Sequence, residues 1–333
     1  MHALSNNPVY DICLSYQKTA AMAAAVKLNI FTVIGSSRLE AGHIAERTGC
    51  STRGVRILCD FLCVIGLLEK NNGLYFLPDA AARFLDRSSP DCMADIIDFF
   101  GAPATLSMVM DDPALYVRSG GAAGVSHVSP DNPVWVTFAQ AMVPFAAVEA
   151  KRTAAYITKK ALQPRTVLDV AAGHGLFGIE VAKLRMEASV TAIDWPGVLE
   201  IAKQNAAGEG LSARYSFLGG NAFELDWGCG YDLILLANIL HHFDPDDCVR
   251  MLQKAHRSLG ARGSVFVIEM IPNPDRVSPP EQAAFAFFML ATTPHGDAYT
   301  AHEYEAMANR AGLSLADSMR LLPTAQTLMV FSL

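Results

Sequence analysis

The sequence predicts an α/β fold: a parallel sheet wound by helices on both faces in the C-terminal half, with a mostly helical domain of winged-helix pattern before it. Three observations carry that expectation. From residue 163 onward, short apolar runs alternate with helical patterns, the sequence form of a parallel sheet covered on both sides. One junction, VLDVAAGHGLFG from Val167 to Gly178, reads as strand, small-residue turn and helix start, and its last six residues spell G-x-G-x-x-G. Before residue 90, two helical patterns are followed by a hairpin. A chain of 333 residues exceeds one ordinary core, so more than one domain is expected. The boundaries read as 1–90 for a winged-helix dimerisation domain, 91–162 for connecting helices and a lid, and 163–333 for the sheet domain that holds a cofactor.

In the N-terminal domain, AAMAAAVKLNIFTVI has helical spacing and ends at Gly35. LEAGHIAERTG and STRGVRILCDFLCVIGLL form two more helical patterns, parted by Gly49-Cys50, with Ser51 as the expected N-cap of the second. LLEKNNGLYFL holds two short runs around Asn71-Asn72-Gly73, a hairpin signal. Such a module often reads DNA, and a ligand-sensing regulator stays open as an alternative. Yet residues 1–90 hold nine Lys and Arg against seven Asp and Glu, and the net charge of the chain is -7. The would-be recognition helix carries Arg53 and Arg56 and then runs into Ile57, Leu58, Phe61 and Leu62, where groove reading needs an exposed polar face. A packed dimerisation module, without nucleic acid as partner, is the expectation. Residues 91–130 read as irregular, with Pro103, Pro113 and the glycine-rich SGGAAGVSHVSP as a long connection or lid. Residues 132–161 read as helical with an interruption at Pro144.

In the sheet domain the expected strands are TVLDVA, SVTAIDW, RYSFLGG, YDLILLANIL, SVFVIEMIP and a last one near TLMVFSL. Helical stretches at 279–292 and 301–311 precede the last strand. Hydrophobic residues make up 51% and charged ones 18%, a globular composition apolar enough to suggest a buried subunit interface. Seven cysteines without CxxC spacing read as reduced thiols, and no metal site is expected. The N-terminal MHALSNNPVY has no signal pattern, and no apolar run is long enough to span a bilayer, so a cytoplasmic protein without membrane contact is expected.

Ligands of wound sheets bind beyond the carboxyl ends of the strands. Those ends deliver Asp169 with Ala171, Gly173 and Gly175; Asp194 and Trp195; Asn221, Ala222 and Phe223; Asn238, His241 and His242; and Glu269. A nicotinamide dinucleotide would suit the glycines and Asp194, but no hydride-transfer partner follows. S-adenosyl-L-methionine suits the set on other grounds. It has no pyrophosphate to need a helix start, and its sulfonium and ammonium suit an acid such as Asp169. Asp169 could equally be a buried acid that fixes the turn. Asp194 would take the ribose, Trp195 would lie on adenine and Asn221 would bond its amine.

VLDVAAGHG, AIDW, GGNAF, LLANILHHFDPDDC and VIEMIPNPD follow in order like the motifs of class I S-adenosylmethionine-dependent methyltransferases. The chain resembles the group that includes plant caffeate and flavonoid O-methyltransferases, acetylserotonin O-methyltransferase and bacterial antibiotic O-methyltransferases. The resemblance covers nearly the whole chain. It implies a Rossmann-like sheet of seven strands, one antiparallel, with helices on both faces, an N-terminal winged-helix dimerisation domain and a homodimer. It also implies that His241 sits at the family's base position, with His242 on the acid position after it, and that the first orienting acid falls on Glu269. The second falls on Ala298, where no carboxylate is available.

The expected activity is O-methylation of a small aromatic hydroxylated metabolite, with C- or N-methylation or a non-methylating reaction on the same scaffold as alternatives. Such a reaction needs an oriented nucleophile and, for a phenol, a base, and a histidine suits that task near neutrality. His241 is therefore the candidate base, or else a positioning or capping residue. Phe138, Met142 and Phe145, and Phe285 and Met289 on a second helix, recur at helical spacing and are candidates for an apolar slot around a flat ring. Core packing would produce the same spacing.

Overall fold

The structure, a computed structural model, describes residue 4, residues 6–122 and residues 134–333. It divides into two compact units, Met1–Leu106 and Ser107–Leu333.

The first unit is helical with one small hairpin. Asn7 caps helix Pro8–Leu14 by accepting from Val9 N. The run expected as one helix to Gly35 is two, Tyr16–Lys27 and Ile30–Ile34, because Asn29 between them takes a left-handed φ of 54°. Helices Ala41–Thr48 and Thr52–Val64 follow, with Gly49 closing the first and the Ser51 hydroxyl accepting from Gly54 N to cap the second. Strands β1 (Glu69–Asn71) and β2 (Leu74–Phe76) pair antiparallel across Asn72 and Gly73, both at positive φ, as a two-residue hairpin requires. Ile30, Phe31, Ile34, Ile44, Leu62 and Tyr75 form its core. Helix Thr52–Val64 is not built to read a groove: Ile57 and Val64 lie exposed on it, and Arg56 and the hairpin's Lys70 are both spent on Asp60. Val9, Tyr10, Ile12 and Tyr16 are between 62% and 74% exposed, an apolar face on the leading helices.

Residues 94–119, expected to be irregular, hold Ala94–Ile96, Ile97–Phe100, Pro103–Met110 and Pro113–Ser119 as short helices. Their prolines start helices rather than break them, since the first turn needs no proline N–H. Pro144 behaves in the same way. The break falls at Met142, between Val134–Ala141 and Val143–Lys159, and Pro144 sits in the first turn of the second helix. Most of SGGAAGVSHVSP lies outside the described residues.

The second unit carries a seven-stranded sheet of β3 (Thr166–Val170), β4 (Ser189–Asp194), β5 (Tyr215–Gly219), β6 (Tyr231–Ala237), β7 (Leu259–Glu269), β8 (Ser314–Arg320) and β9 (Thr327–Ser332), in the order β5-β4-β3-β6-β7-β9-β8. β9 alone runs antiparallel to the other six strands. The resemblance implied this seven-stranded pattern, although the sequence patterns had picked out six strands and not β8. Val167, Leu235, Phe266 and Ile268 pack against one set of helices, whereas Leu168, Ile234, Leu236 and Val267 pack against the other, so alternate residues fill cores on both faces. Strand order reverses between β3 and β6, which opens the crevice at their carboxyl ends.

Candidate active site

The turn after β3 is held open by three residues at positive φ: Ala171 at 53°, Gly173 at 57° and Gly175 at 74°. Asp169, at 1% exposure, points its Oδ2 to the N–H of Gly178, 3.0 Å away. A Cβ on Gly178 would stand 3.0 Å from that same oxygen and 2.8 Å from the Tyr215 hydroxyl, so glycine lets helix Leu176–Leu184 seat directly on the strand. At the end of β4, Asp194 accepts from Gly173 N at 2.8 Å and from Trp195 N at 2.7 Å. Among the described residues, no Lys or Arg pairs with either acid. Burial accordingly raises the Asp169 carboxyl to about 7, with the charge of Asp194 adding to it, and raises Asp194 to about 6.

The remaining expected cofactor contacts are spread along the same edge. Trp195 packs beside Trp135, Val136 and Ala139. Asn221 closes its own turn, with Oδ1 accepting from Phe223 N at 2.9 Å. The Ala222 carbonyl accepts from Trp227 Nε1, and Phe223 packs edge-on against Phe243. The helix start offers little to a pyrophosphate. Leu176 N is taken by His174 Nδ1 at 3.2 Å, and Gly178 N by Asp169. His174 is held neutral, its imidazole pushed down to about 4 by burial. Two acids lacking cations, and a helix start with the amides of Leu176 and Gly178 already taken, fit a cationic cofactor without phosphates better than a dinucleotide.

At the ends of β6 and β7 the carboxylate is fully engaged instead. Glu269, at 0% exposure, accepts from Ile239 N (3.0 Å) and Leu240 N (2.8 Å) through Oε1 and meets His241 Nδ1 at 2.5 Å through Oε2. A carboxylate only accepts, so the hydrogen sits on Nδ1, and Nε2 keeps its lone pair. Phe285 stands edge-on to the His241 ring with centroids 4.8 Å apart. The segment after helix Pro280–Thr292 closes over the histidine's backbone: Asp297 N donates to the His241 carbonyl at 3.0 Å, and a Cβ on Gly296 would collide with that oxygen. Ala298, at the second orienting position, is fully buried. The neighbouring Asp297 carboxylate turns away to Arg276, which also holds Glu303. His241 is therefore tied by one acid.

His242 is half-buried against Trp135, with ring centroids 5.6 Å apart, and burial together with the His241 ring holds its imidazole well below its ordinary range. Of the expected slot residues, Phe285 meets His241 and Phe138 meets Trp135. Met289 is buried, and Met142 and Phe145 are half-buried. Two residues at this edge escaped the sequence reading. One is Trp135. The other is Glu149, at 2% exposure on helix Val143–Lys159, whose Oε2 accepts from Asn238 Nδ2 at 3.1 Å. Its signal was an acid on a helix face otherwise made of Ala146, Ala150, Thr153 and Ile157.

Residues 106–314 match the model of the O-methyltransferase domain, and residues 10–87 match that of the O-methyltransferase dimerisation domain. The chain belongs to the O-methyltransferase family. This O-methyltransferase is 26% identical over 317 residues to the 3-hydroxy-5-methyl-1-naphthoate 3-O-methyltransferase of Streptomyces sahachiroi, covering 93% of this chain and 90% of that one. A crystal structure of a candidate O-methyltransferase from Nostoc punctiforme PCC 73102 superposes with a TM-score of 0.92 at 42% identity, covering 98% and 99% of the two chains. Human N-acetylserotonin methyltransferase, solved in complex with S-adenosylmethionine, shares the fold with a TM-score of 0.81 at 20% identity over 98% of each chain. The O-methyltransferase uses S-adenosylmethionine as its cofactor. Among the described residues, no helix is long and apolar enough to cross a membrane.

Proposed function

We propose that this O-methyltransferase methylates a hydroxyl of a small aromatic metabolite, with His241 as general base, and that it works as a cytoplasmic homodimer through its N-terminal unit. The observation that carries the base assignment is the Glu269–His241 contact at 2.5 Å, with Glu269 pinned by two backbone amides. When bound, S-adenosylmethionine supplies a methyl group on a sulfonium centre, already activated for in-line displacement. Asp194 would hold the ribose, the 171–175 turn would let the backbone approach closely, and Asp169 would lend negative charge beneath the cation. His241 Nε2 would take the phenolic proton, and Glu269 would hold the imidazolium that results. Phe285 and Trp135, beside the two histidine rings, would line the flat slot. The naphthoate substrate in the name of the Streptomyces relative supports an aromatic acceptor. The matched dimerisation domain and the exposed Val9, Tyr10, Ile12 and Tyr16 support the dimer.

A second reading, in which His241 only positions the hydroxyl, is favoured by one observation: Ala298 provides no second carboxylate. His241→Gln separates the two. Gln keeps a hydrogen-bonding group but cannot take the proton. For a base, turnover of a phenol found by library screening should fall by about 10²–10⁴, with the Michaelis constant for S-adenosylmethionine nearly unchanged. A Gln variant within a few-fold of wild type, with the same pH profile, would leave His241 a positioning residue.

A further inference from the structure

Glu149 has no place in the chemistry above, yet it is a carboxylate at 2% exposure inside the sheet domain. Among the described residues, its one side-chain partner is the amide of Asn238, and no Lys or Arg pairs with it. Burial raises its carboxyl to about 7, the Asn238 bond opposes that rise, and the charge of Glu269 adds to it. A glutamine or an apolar residue would fill the same space at lower cost.

The partner explains the acid. Asn238 is the residue just past β6, at a left-handed φ of 54°, and its backbone N–H is fixed on the Ile268 carbonyl at 2.8 Å. Its side-chain amide could face either way on its own. The Asn238 Nδ2 donates to Glu149 Oε2 at 3.1 Å, and the ionised carboxylate, which only accepts, holds Nδ2 toward itself. Asn238 Oδ1 is left as an acceptor with no donor among the described residues.

Strand order says what reaches that acceptor. β6 lies between β3, which carries the 171–175 turn, and β7, which carries Glu269. Adenosine held at Asp194 lies on the far side of β3, while the methyl group must reach His241. The sulfonium and the amino-acid arm attached to it therefore cross the end of β6, where Asn238 stands.

We propose that Glu149 is a positioning residue for the cofactor's amino-acid arm: it locks the Asn238 amide so that Oδ1 accepts a hydrogen bond from the arm's ammonium group. The inference rests on the cofactor placement proposed above, with Asp194 on the ribose.

The test is binding, measured by calorimetry on the full chain. S-adenosylhomocysteine carries the arm; 5′-methylthioadenosine lacks it and, where its heat is too small, is read by displacement of the first ligand. Glu149→Ala and Asn238→Ala should each weaken S-adenosylhomocysteine by about tenfold or more, the worth of one charge-assisted bond, and leave 5′-methylthioadenosine within about twofold. Glu149→Gln keeps an acceptor for Asn238 Nδ2 and should stay within about threefold of wild type for both ligands. The double alanine variant should be no weaker than Asn238→Ala alone, because Glu149 acts through Asn238. Equal weakening of both ligands by Glu149→Ala would overturn the proposal in favour of a structural acid. Additive losses in the double variant, or a Gln variant as weak as the Ala variant, would overturn it in favour of a direct charge on the ligand. Asp194→Ala serves as the control for placement: it should weaken both ligands, and failure to do so would remove the adenosine placement itself rather than the Glu149–Asn238 link.

Discussion

The two ends of the crevice hold buried carboxylates in opposite conditions. At β6 and β7, Glu269 is complete: two backbone amides and an imidazole satisfy it with no ligand present. At β3 and β4, Asp169 and Asp194 accept only backbone N–H groups, and burial lifts both carboxyls toward neutrality. The first arrangement needs no ligand to be satisfied, as the base role proposed for His241 requires. The second is electrostatically unfinished and, on the cofactor placement proposed above, would be completed by a cation. On the proposed reading, the chain fixes its catalytic half in advance and leaves the cofactor half to be stabilised by the cofactor's own charge.

The largest effect should come from breaking the complete half. In Glu269→Gln the amide oxygen can still accept from Ile239 N and Leu240 N, but the amide nitrogen then faces His241 Nδ1 and donates to it. The imidazole is forced into the other tautomer, with its hydrogen on Nε2, where the lone pair is needed. Single-turnover rates should fall by about 10²–10⁴, with the melting temperature little changed. A variant within tenfold of wild type would show that the tautomer does not matter.

Removing an acid from the unfinished half should act on binding instead. Asp194→Ala is expected to cost S-adenosylhomocysteine about 3–6 kcal/mol, the loss of two hydrogen bonds to a charged group. The rate at saturating cofactor should fall far less, and calorimetry alongside steady-state kinetics separates the two.

The same half should write itself into the pH dependence of stability. Asp169 and Asp194 have folded values raised above the unfolded value of 3.8, so the ligand-free protein binds more protons folded than unfolded between that value and about 7. Its melting temperature should therefore fall as pH rises from 5 to 8, other groups contributing their own slopes. Saturating S-adenosylmethionine should flatten that fall, because its cations favour the ionised acids. Asp169→Asn keeps an acceptor for Gly178 N and should stabilise the ligand-free protein at pH 8 by about 1–2 kcal/mol. A variant no more stable than wild type at pH 8 would show that the acid is not strained by burial.

The smallest effect is expected at the Arg276 cluster. Its pairs with Asp297 and Glu303 are about 40% exposed, and exposed pairs contribute about 0–1 kcal/mol. Asp297 reaches His241 through its backbone N–H and not its carboxylate. Arg276→Ala should leave urea-unfolding stability within about 1 kcal/mol and turnover within a few-fold. A much larger loss of turnover would mean that the carboxylate reaches the histidine after all.

The two halves also differ in how far their parts could be seen in the sequence. The sheet was legible because β3, β6, β7 and β9 are buried on both faces and read as apolar runs. β8 was not, since Ser314–Arg320 is mostly exposed and keeps no apolar stripe. Asp169, Asp194, His241 and Glu269 stood out as polar residues at strand ends, where position alone marks them. Glu149 and Trp135 lie on helices, and nothing in their neighbourhood along the chain reveals that they meet Asn238 and His242. The direction of the Asp297 carboxylate was equally hidden, because it depends on Arg276, 21 residues away.

The capped helix after β3 has a consequence for the protein among other nucleotides. A pocket that recognises adenosine is open in principle to every adenine nucleotide in its surroundings, and those carry phosphates. Here His174 and Asp169 already occupy the amides of Leu176 and Gly178, and the acids beneath repel an anion. On the cofactor placement proposed above, a phosphorylated competitor would find those two amides taken and two acids close by, which disfavours its binding. On that reading the turn would act as a filter as much as a cradle.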